Sequence, residues 1–313
     1  MIELRKDYVL DRWSYIALDR ENRSKQFKEI EDNKIESVCF FCPGNESMTP
    51  PEIGRIADNG NWKIRWFPNK FPITENTDKN TIDFNNKYFV KGSAFGYHEV
   101  IAETPDHKRQ LWDLEEWELC ELFKVYALRI NELSVRDGVK YVQLFKNSGN
   151  DAGTSIIHTH TQIVTTNIVP RSISEKLSAI KKYASCPYCE IIEIERKSDR
   201  FIYENDDFSV FAPYAPRFNY ETCIYPKKHH KDLSELDNKG FENLASAFKK
   251  ILSKLSSLNT PYNFYLHHSP CNENLHFSFE ITPRMNKWAG FELATDSYVI
   301  TVSPESTAKF FKE

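Results

Sequence analysis

The residues best placed to do chemistry lie at 147–164, NSGNDAGTSIIHTHTQIV. The β-branched content of 156–164 predicts a strand. Side chains on a strand alternate faces, so His158, His160 and Gln162 would share one face, opposite Ile157, Thr159, Thr161 and Ile163. Ahead of them stand Ser148, Gly149, Gly153 and Ser155. Glycine admits close backbone approach, and exposed N–H groups with hydroxyls suit phosphate oxygens. An imidazole beside such a loop can attack phosphorus as a nucleophile, with Gln162 holding a non-bridging oxygen.

A second constellation is built from cysteine. Four of the seven cysteines form two Cys-x-x-Cys pairs, Cys39/Cys42 and Cys186/Cys189, about half a chain apart. An odd cysteine count excludes a fully paired disulfide framework within one chain. A structural zinc site wants four Cys or His ligands in a tetrahedron. His107 and His158 are natural partners for the first pair, and His229 and His276 for the second. Spacing alone leaves open His98 instead of His107, and His230 instead of His229. The competing reading is a thioredoxin-like redox pair, which opens a helix in a βαβ unit; neither pair is expected to do so.

These residues must be carried by a fold, and the chain shows an order of elements that occurs twice. After each cysteine pair come strand-like runs, a Pro-led corner (105–107 and 226–229), a long helical pattern, another strand and a His-bearing segment. The first helical pattern covers 112–133, with Trp112, Cys120, Phe123, Ala127 and Ile130 on one face and Asp113 with Glu116 as a capping box. The second covers 241–258, through Leu244, Phe248, Leu252 and Leu255. The expectation is an α+β chain made of a duplicated unit, each half an antiparallel sheet with packed helices.

Composition narrows the class of function. Lys plus Arg number 41 against 45 Asp plus Glu, a net charge of -4, which argues against a nucleic-acid coat or a polybasic membrane binder. No apolar run approaches the roughly 18 residues of a membrane span, and the charged stretch 3–7 is unlike a signal peptide. A cytoplasmic protein is the expectation.

Taken together, the motifs resemble the galactose-1-phosphate uridylyltransferase family of the histidine-triad superfamily, and most of all the branch that includes the plant ADP-glucose phosphorylase. The resemblance runs through nearly the whole chain: RKD at 5–7, RW at 12–13, Arg20 and Arg23, CxxCPG at 39–44, NKFP at 69–72, GYHEV at 96–100, TPDH at 104–107, the 147–162 segment, CxxC at 186–189, PKKH at 226–229, His276 and GFEL at 290–293. It implies two histidine-triad-like halves related by a pseudo-two-fold, 1–170 and 171–313. The first half would carry the catalytic His-x-His-x-Gln and one zinc, the second half another zinc.

It also implies roles. His160 matches the nucleophile that carries the nucleotidyl group, and Gln162 the residue bonding its phosphate. Cys39, Cys42, His107 and His158 match the first zinc site, and Cys186, Cys189, His229 and His276 the second; both Zn2+ ions would be structural. Arg20, Arg23, Asn69, Phe71, Asn147, Gly149, Gly153 and Ser155 would line the nucleotide and its phosphates. The implied enzyme moves a nucleoside monophosphate from a nucleoside-diphosphate sugar to a sugar 1-phosphate through nucleotidyl-histidine, as a homodimer in sugar (galactose) metabolism. Two alternatives are an ADP-glucose phosphorylase-like enzyme or hydrolase with phosphate or water as acceptor, and a zinc-stabilised nucleotide-binding module without catalysis. Thr159 stands where the family has proline. The segment 291–298 lacks the sugar-contacting glutamine of the uridylyltransferases proper, so the resemblance does not choose base, sugar or acceptor.

Overall fold

The computed structural model describes residues 2–6, 11, 13–16, 38–77, 80–271 and 273–313. Arg20 and Arg23 lie outside the described residues. The chain divides into two compact units. The first comprises Met1–Lys108, Arg129–Leu144 and His158–Glu175; the second comprises Arg109–Leu128, Phe145–Ile157 and Lys176–Glu313. Packing therefore does not follow the chain halves: most of the long first helix and the glycine-bearing loop pack with the second unit.

The first unit holds strands β1 (Glu3–Lys6), β2 (Trp13–Ile16), β3 (Gly54–Asp58), β4 (Asn61–Pro68), β5 (Ile82–Asp83), β6 (Lys91–Ser93), β7 (His98–Ala102) and β9 (His160–Thr166), with the start of β8 (Tyr141–Ser148). A small sheet runs β2-β1-β6-β5, and a second run of strands is ordered β3-β4-β7-β9. Every pairing recorded between these strands is antiparallel. Asn59 and Gly60 both take positive φ, 49° and 83°, which is the two-residue turn that lets β3 fold straight back as β4. Along β4, Trp62, Ile64 and Trp66 point inward at alternate positions, and Phe67 on the other face is also buried.

The second unit holds the end of β8 and strands β10 (Phe201–Glu204), β11 (Phe208–Phe211), β12 (Thr222–Pro226), β13 (Tyr262–His267) and β14 (Ser278–Pro283). They are ordered β10-β11-β12-β14-β13-β8, again antiparallel. Helix α1 (Glu116–Ser134) contributes residues to both units. The remaining helices are α2 (Arg171–Ile180), α3 (Pro187–Glu195), α4 (Asn238–Ser256), α5 (Gly290–Thr295) and α6 (Pro304–Lys312).

The core of the second unit is aromatic. Phe248 of α4 meets Phe123 of α1 at 4.8 Å, Phe279 of β14 at 4.9 Å edge-on, and Phe264 of β13 at 5.7 Å. Such edge and tilted geometries add about 0.5–1.5 kcal/mol per pair beyond area burial. Helix α4 begins where Asp237 accepts the Gly240 N–H at 2.8 Å, a cap the sequence pattern at 241–258 starts just beyond. The expected capping box at the first helix is displaced. Asp113 instead closes a 3-10 turn (Leu111–Asp113), taking the Gln110 N–H at 2.8 Å, and Glu118 takes the Glu115 N–H at 2.8 Å. The result is the expected α+β architecture of antiparallel sheets with packed helices. Among the described residues no helix is long and apolar enough to cross a membrane.

Candidate functional site

Strands β7 and β9 position the first-unit residues. They pair Ala102↔His160, Val100↔Gln162 and His98↔Val164. All residues of both strands are buried, so their polar side chains must find partners inside. Thr159 and Thr161 both donate to the buried Glu103 carboxylate. Glu99 receives a bidentate fork from Arg129, 2.9 Å for each bond. The strand expected over 156–164 is shorter: β9 starts at His160, and His158 precedes it in irregular backbone.

The first Cys-x-x-Cys is a tight turn. Cys42 N–H reaches the Cys39 carbonyl at 3.3 Å, and the Asn45 side chain donates to the same carbonyl at 2.9 Å. His107 arrives from the corner that follows β7. Cys39 Sγ lies 3.5 Å from His158 Nδ1, and Cys42 Sγ lies 3.5 Å from His107 Nδ1 and 3.6 Å from His158 Nδ1. The four donor atoms fall within 4.8 Å of one another. Two sulfurs at about 2.3 Å and two nitrogens at about 2.0–2.1 Å around a tetrahedral zinc would stand about 3.3–3.8 Å apart, so the group fits that ion. His158 Nε2 donates to the Thr104 carbonyl at 2.7 Å, which leaves the lone pair on Nδ1, facing the sulfurs.

Burial holds the His158 imidazole below its ordinary pKa, so it is neutral as a ligand must be. Burial, with Cys39 next, pushes the Cys42 thiol up to about 11. A bound cation would displace those protons.

The second group repeats the composition. Cys189 Sγ lies 3.6 Å from His229 Nδ1 and 3.5 Å from His276 Nδ1, and Cys186 Sγ lies 4.0 Å from His276 Nδ1. His276 Nε2 donates to the Pro226 carbonyl at 2.9 Å, and His229 Nε2 lies 3.0 Å from Asn274 Oδ1. His230 turns away to Glu235 at 3.2 Å. The second pair does open a helix, since Cys186 is the N-cap of α3. The strand that follows is antiparallel to its neighbour, so no βαβ unit results. Burial also pushes the Cys189 thiol up to about 11, opposite to a reactive redox cysteine.

Beside the first group lie His160 and Gln162. His160 Nδ1 donates to the His158 carbonyl at 2.9 Å, which places the ring's lone pair on Nε2. Phe41 meets the ring edge-on at 5.3 Å. Gln162 Oε1 lies 2.9 Å from His98 Nε2 and 3.4 Å from Asn69 Nδ2. Asn69 Oδ1 accepts the Phe71 N–H at 2.8 Å, so these two predicted residues form one turn that reaches Gln162.

Asn147 lies in β8, and Gly149, Gly153 and Ser155 lie in the loop that follows it, within the second unit. Asn263 donates to Asn147 Oδ1 at 2.8 Å and to the Ala152 carbonyl at 2.9 Å, and a 3-10 turn (Asn150–Ala152) lies between the glycines.

Sequence reasoning missed three features. His98 was considered only as a rival metal ligand, whereas it faces Gln162. Glu103, which ties Thr159 and Thr161, carried no pattern. The third is a buried charged cluster in the second unit. Glu280 accepts from Lys176 at 2.7 Å, Arg217 at 2.5 Å and Tyr265 at 2.8 Å, with His267 at 3.1 Å. Burial alone would raise the Glu280 carboxyl, but Lys176, His267 and Arg217 hold it well below the ordinary range. A signal existed: with His158 set against His276, Ser278 and Glu280 fall at the places of His160 and Gln162.

Comparison with known proteins bears on the whole chain. Residues 3–170 match the family model for the N-terminal domain of galactose-1-phosphate uridyl transferase, and residues 122–310 match a domain of unknown function, DUF4921. The ADP-glucose phosphorylase of Arabidopsis thaliana is 32% identical over 99% of this chain and 92% of its own. The galactose-1-phosphate uridylyltransferase of Thermotoga maritima is 29% identical over 100% of this chain and 98% of its own. Among solved structures, the Arabidopsis ADP-glucose phosphorylase with bound ADP-glucose superposes with a TM-score of 0.79 at 29% identity, covering 100% of this chain and 99% of that one. A uridylyltransferase structure superposes with a TM-score of 0.82 at 28% identity, covering 99% and 97%. By sequence over its full length and by fold, this chain belongs to the galactose-1-phosphate uridylyltransferase family.

Proposed function

We propose that the protein is a nucleotidyltransferase acting on nucleotide sugars and sugar 1-phosphates by double displacement at His160. The observation that carries this is the hydrogen bond from His160 Nδ1 to the His158 carbonyl, which leaves Nε2 as the unprotonated nitrogen, two positions along the same strand from Gln162. In the first step Nε2 attacks the α-phosphorus of a nucleoside-diphosphate sugar. A P–N bond forms, the P–O bond to the sugar phosphate breaks, and sugar 1-phosphate leaves. In the second step an acceptor phosphate oxygen takes the nucleotidyl group and frees the histidine. Charge on the phosphoryl oxygens calls for fixed donors, a role for the Gln162 amide and, following the resemblance, for Asn147, Ser155 and the backbone of the loop.

Zn2+ held by Cys39, Cys42, His107 and His158, and by Cys186, Cys189, His229 and His276, would supply structure, since four protein ligands leave no open position. The proposal extends to a cytoplasmic homodimer and to 1–170 and 171–313 as diverged repeats.

The acceptor divides two reactions. The uridylyltransferase reading uses a second sugar 1-phosphate. The phosphorylase reading uses inorganic phosphate, and two facts favour weighing it: the 32% identity to the Arabidopsis phosphorylase and the missing glutamine at 291–298.

The test is labelling with nucleotide sugars carrying α-32P. Acid-labile label should appear on the wild type and not on a folded His160→Ala variant. Discharge by galactose 1-phosphate or by phosphate then identifies the acceptor. Absence of label from UDP-glucose, UDP-galactose and ADP-glucose alike would overturn the reading.

A further inference from the structure

A glutamine amide has two unlike ends. A phosphate oxygen accepts hydrogen bonds, so Gln162 serves it only if the NH2 end faces it; the carbonyl end would repel it. Rotation about the last side-chain bond is soft, and the two orientations are nearly equal in shape. Something must choose between them.

The hydrogen bonds around His98 make that choice. The backbone N–H of Ile73 donates to His98 Nδ1 at 3.2 Å. A backbone amide is always a donor, so Nδ1 carries the lone pair and Nε2 carries the proton. His98 Nε2–H then donates to Gln162 Oε1 at 2.9 Å. Asn69 supplies a second donor. Its Oδ1 is engaged by the Phe71 N–H at 2.8 Å, which turns its NH2 toward Gln162 Oε1 at 3.4 Å. The 3.1 Å approach of Asn69 Nδ2 to His98 Nε2 is that of two donors sharing one acceptor. With Oε1 held, the Gln162 NH2 group has no acceptor of its own among the described residues. His98 is 5% exposed, so water competes little for this proton.

We propose that His98 is a positioning residue: the proton on its Nε2 locks the Gln162 amide with its NH2 end presented to the phosphate that His160 attacks. This rests on the double-displacement reading above. His98 touches no reacting atom. It acts through Gln162, and its own tautomer is set by the Ile73 N–H, so a backbone amide two residues beyond Phe71 decides which end of Gln162 meets the substrate.

Two substitutions separate the bonds that His98 makes. In His98→Gln the amide nitrogen sits as many bonds from Cα as Nε2 did, so a donor to Gln162 is kept and the acceptor for Ile73 is lost. In His98→Asn the side-chain oxygen sits where Nδ1 did, so the Ile73 acceptor is kept and the donor to Gln162 is lost. The readout is the single-turnover rate of nucleotidyl-enzyme formation, with thermal stability measured alongside. His98→Gln should stay close to wild type. His98→Asn should fall by about 10- to 100-fold, part of the loss seen when a preorganised donor is removed outright. In a Gln162→Ala background, His98→Asn should add nothing. Spectra of 15N-histidine protein should show His98 as the neutral Nε2–H tautomer.

Equal loss in His98→Asn and His98→Gln, a further loss in the Gln162→Ala background, or an Nδ1–H tautomer overturns the proposal while leaving the double-displacement reading standing. Failure of the wild type to form any nucleotidyl-enzyme removes that reading and this inference with it.

Discussion

Gly149 and Gly153 offer a controlled comparison in one loop. Their φ angles are nearly equal, 86° and 88°. Their ψ angles differ: Gly153, at ψ 15°, is left-handed helical, where an L-residue costs about 1–2 kcal/mol, whereas Gly149, at ψ 154°, lies in a region almost confined to glycine, where it costs about 1–3 kcal/mol. Replacing glycine by alanine returns about 0.4–1 kcal/mol by restricting the unfolded chain. These effects leave a net cost of about 0–1.6 kcal/mol at Gly153 and about 0–2.6 kcal/mol at Gly149. The surroundings differ. A Cβ on Gly149 would stand 2.7 Å and 2.8 Å from the Pro261 ring carbons, whereas a Cβ on Gly153 meets nothing closer than Asn147 Nδ2 at 3.8 Å. Overpacking adds about 1–3 kcal/mol at Gly149 alone. Gly149→Ala should therefore cost about 1–5.6 kcal/mol, and Gly153→Ala no more than about 1.6 kcal/mol. Urea unfolding of both variants, compared at matched m-values, reads the difference. If the loop lines the nucleotide as proposed, isothermal titration with a nucleotide sugar should show the reverse order, because Gly153 is the exposed one of the two. Gly153→Ala destabilising as much as Gly149→Ala would refute this assignment of one glycine to packing and the other to access.

Two further outcomes are expected. Arg129→Met strands the Glu99 carboxylate, since both side chains of this fork are nearly inaccessible, and should cost about 3–5 kcal/mol; Arg129→Met/Glu99→Leu should recover much of that in thermal melts, and a double variant no better than the single one would defeat the argument. Protein stripped of metal should lose stability as pH falls from 6.5 toward 4. Burial, with His229 next, holds folded His276 down to about 4 from 6.5, so over that window the unfolded chain binds a proton that the folded chain refuses. Urea midpoints that stay level across this window, or that fall just as far in His276→Gln, would contradict it.

Much of the site was legible because its chemistry is local in sequence. Cys39 and Cys42 are joined by one turn, and His158, His160 and Gln162 alternate along one stretch of chain. What was not legible depended on where chain segments meet. His98 and His107 are both polar; the first opens β7 and the second follows it. Only the way β7 lies beside β9, and then turns at its corner, sends one to Gln162 and the other to the cysteines. The start of β9 was misplaced because β-branched 156 and 157 look like strand, while His158 is drawn out of the ladder toward the sulfurs. Asp113 and Glu116 matched a capping pattern, but Gln110 competes for Asp113 and shortens the helix to its observed start. The charged cluster around Glu280 joins residues from α2, β13, β14 and the 217–221 segment, a gathering no window of sequence contains.

Ser278 and Glu280, at the places of His160 and Gln162, have a stoichiometric consequence. Ser278 has no ring of its own to attack phosphorus, and its strand partner His267 is engaged with Lys176 and Glu280; that carboxylate, held ionised by Lys176, His267 and Arg217, offers an incoming polyphosphate like charge in place of amide donors. If the double-displacement reading holds, saturating a chain with labelled substrate should therefore end at one equivalent, with the second unit free to drift in sequence so long as its cysteines and histidines stay together.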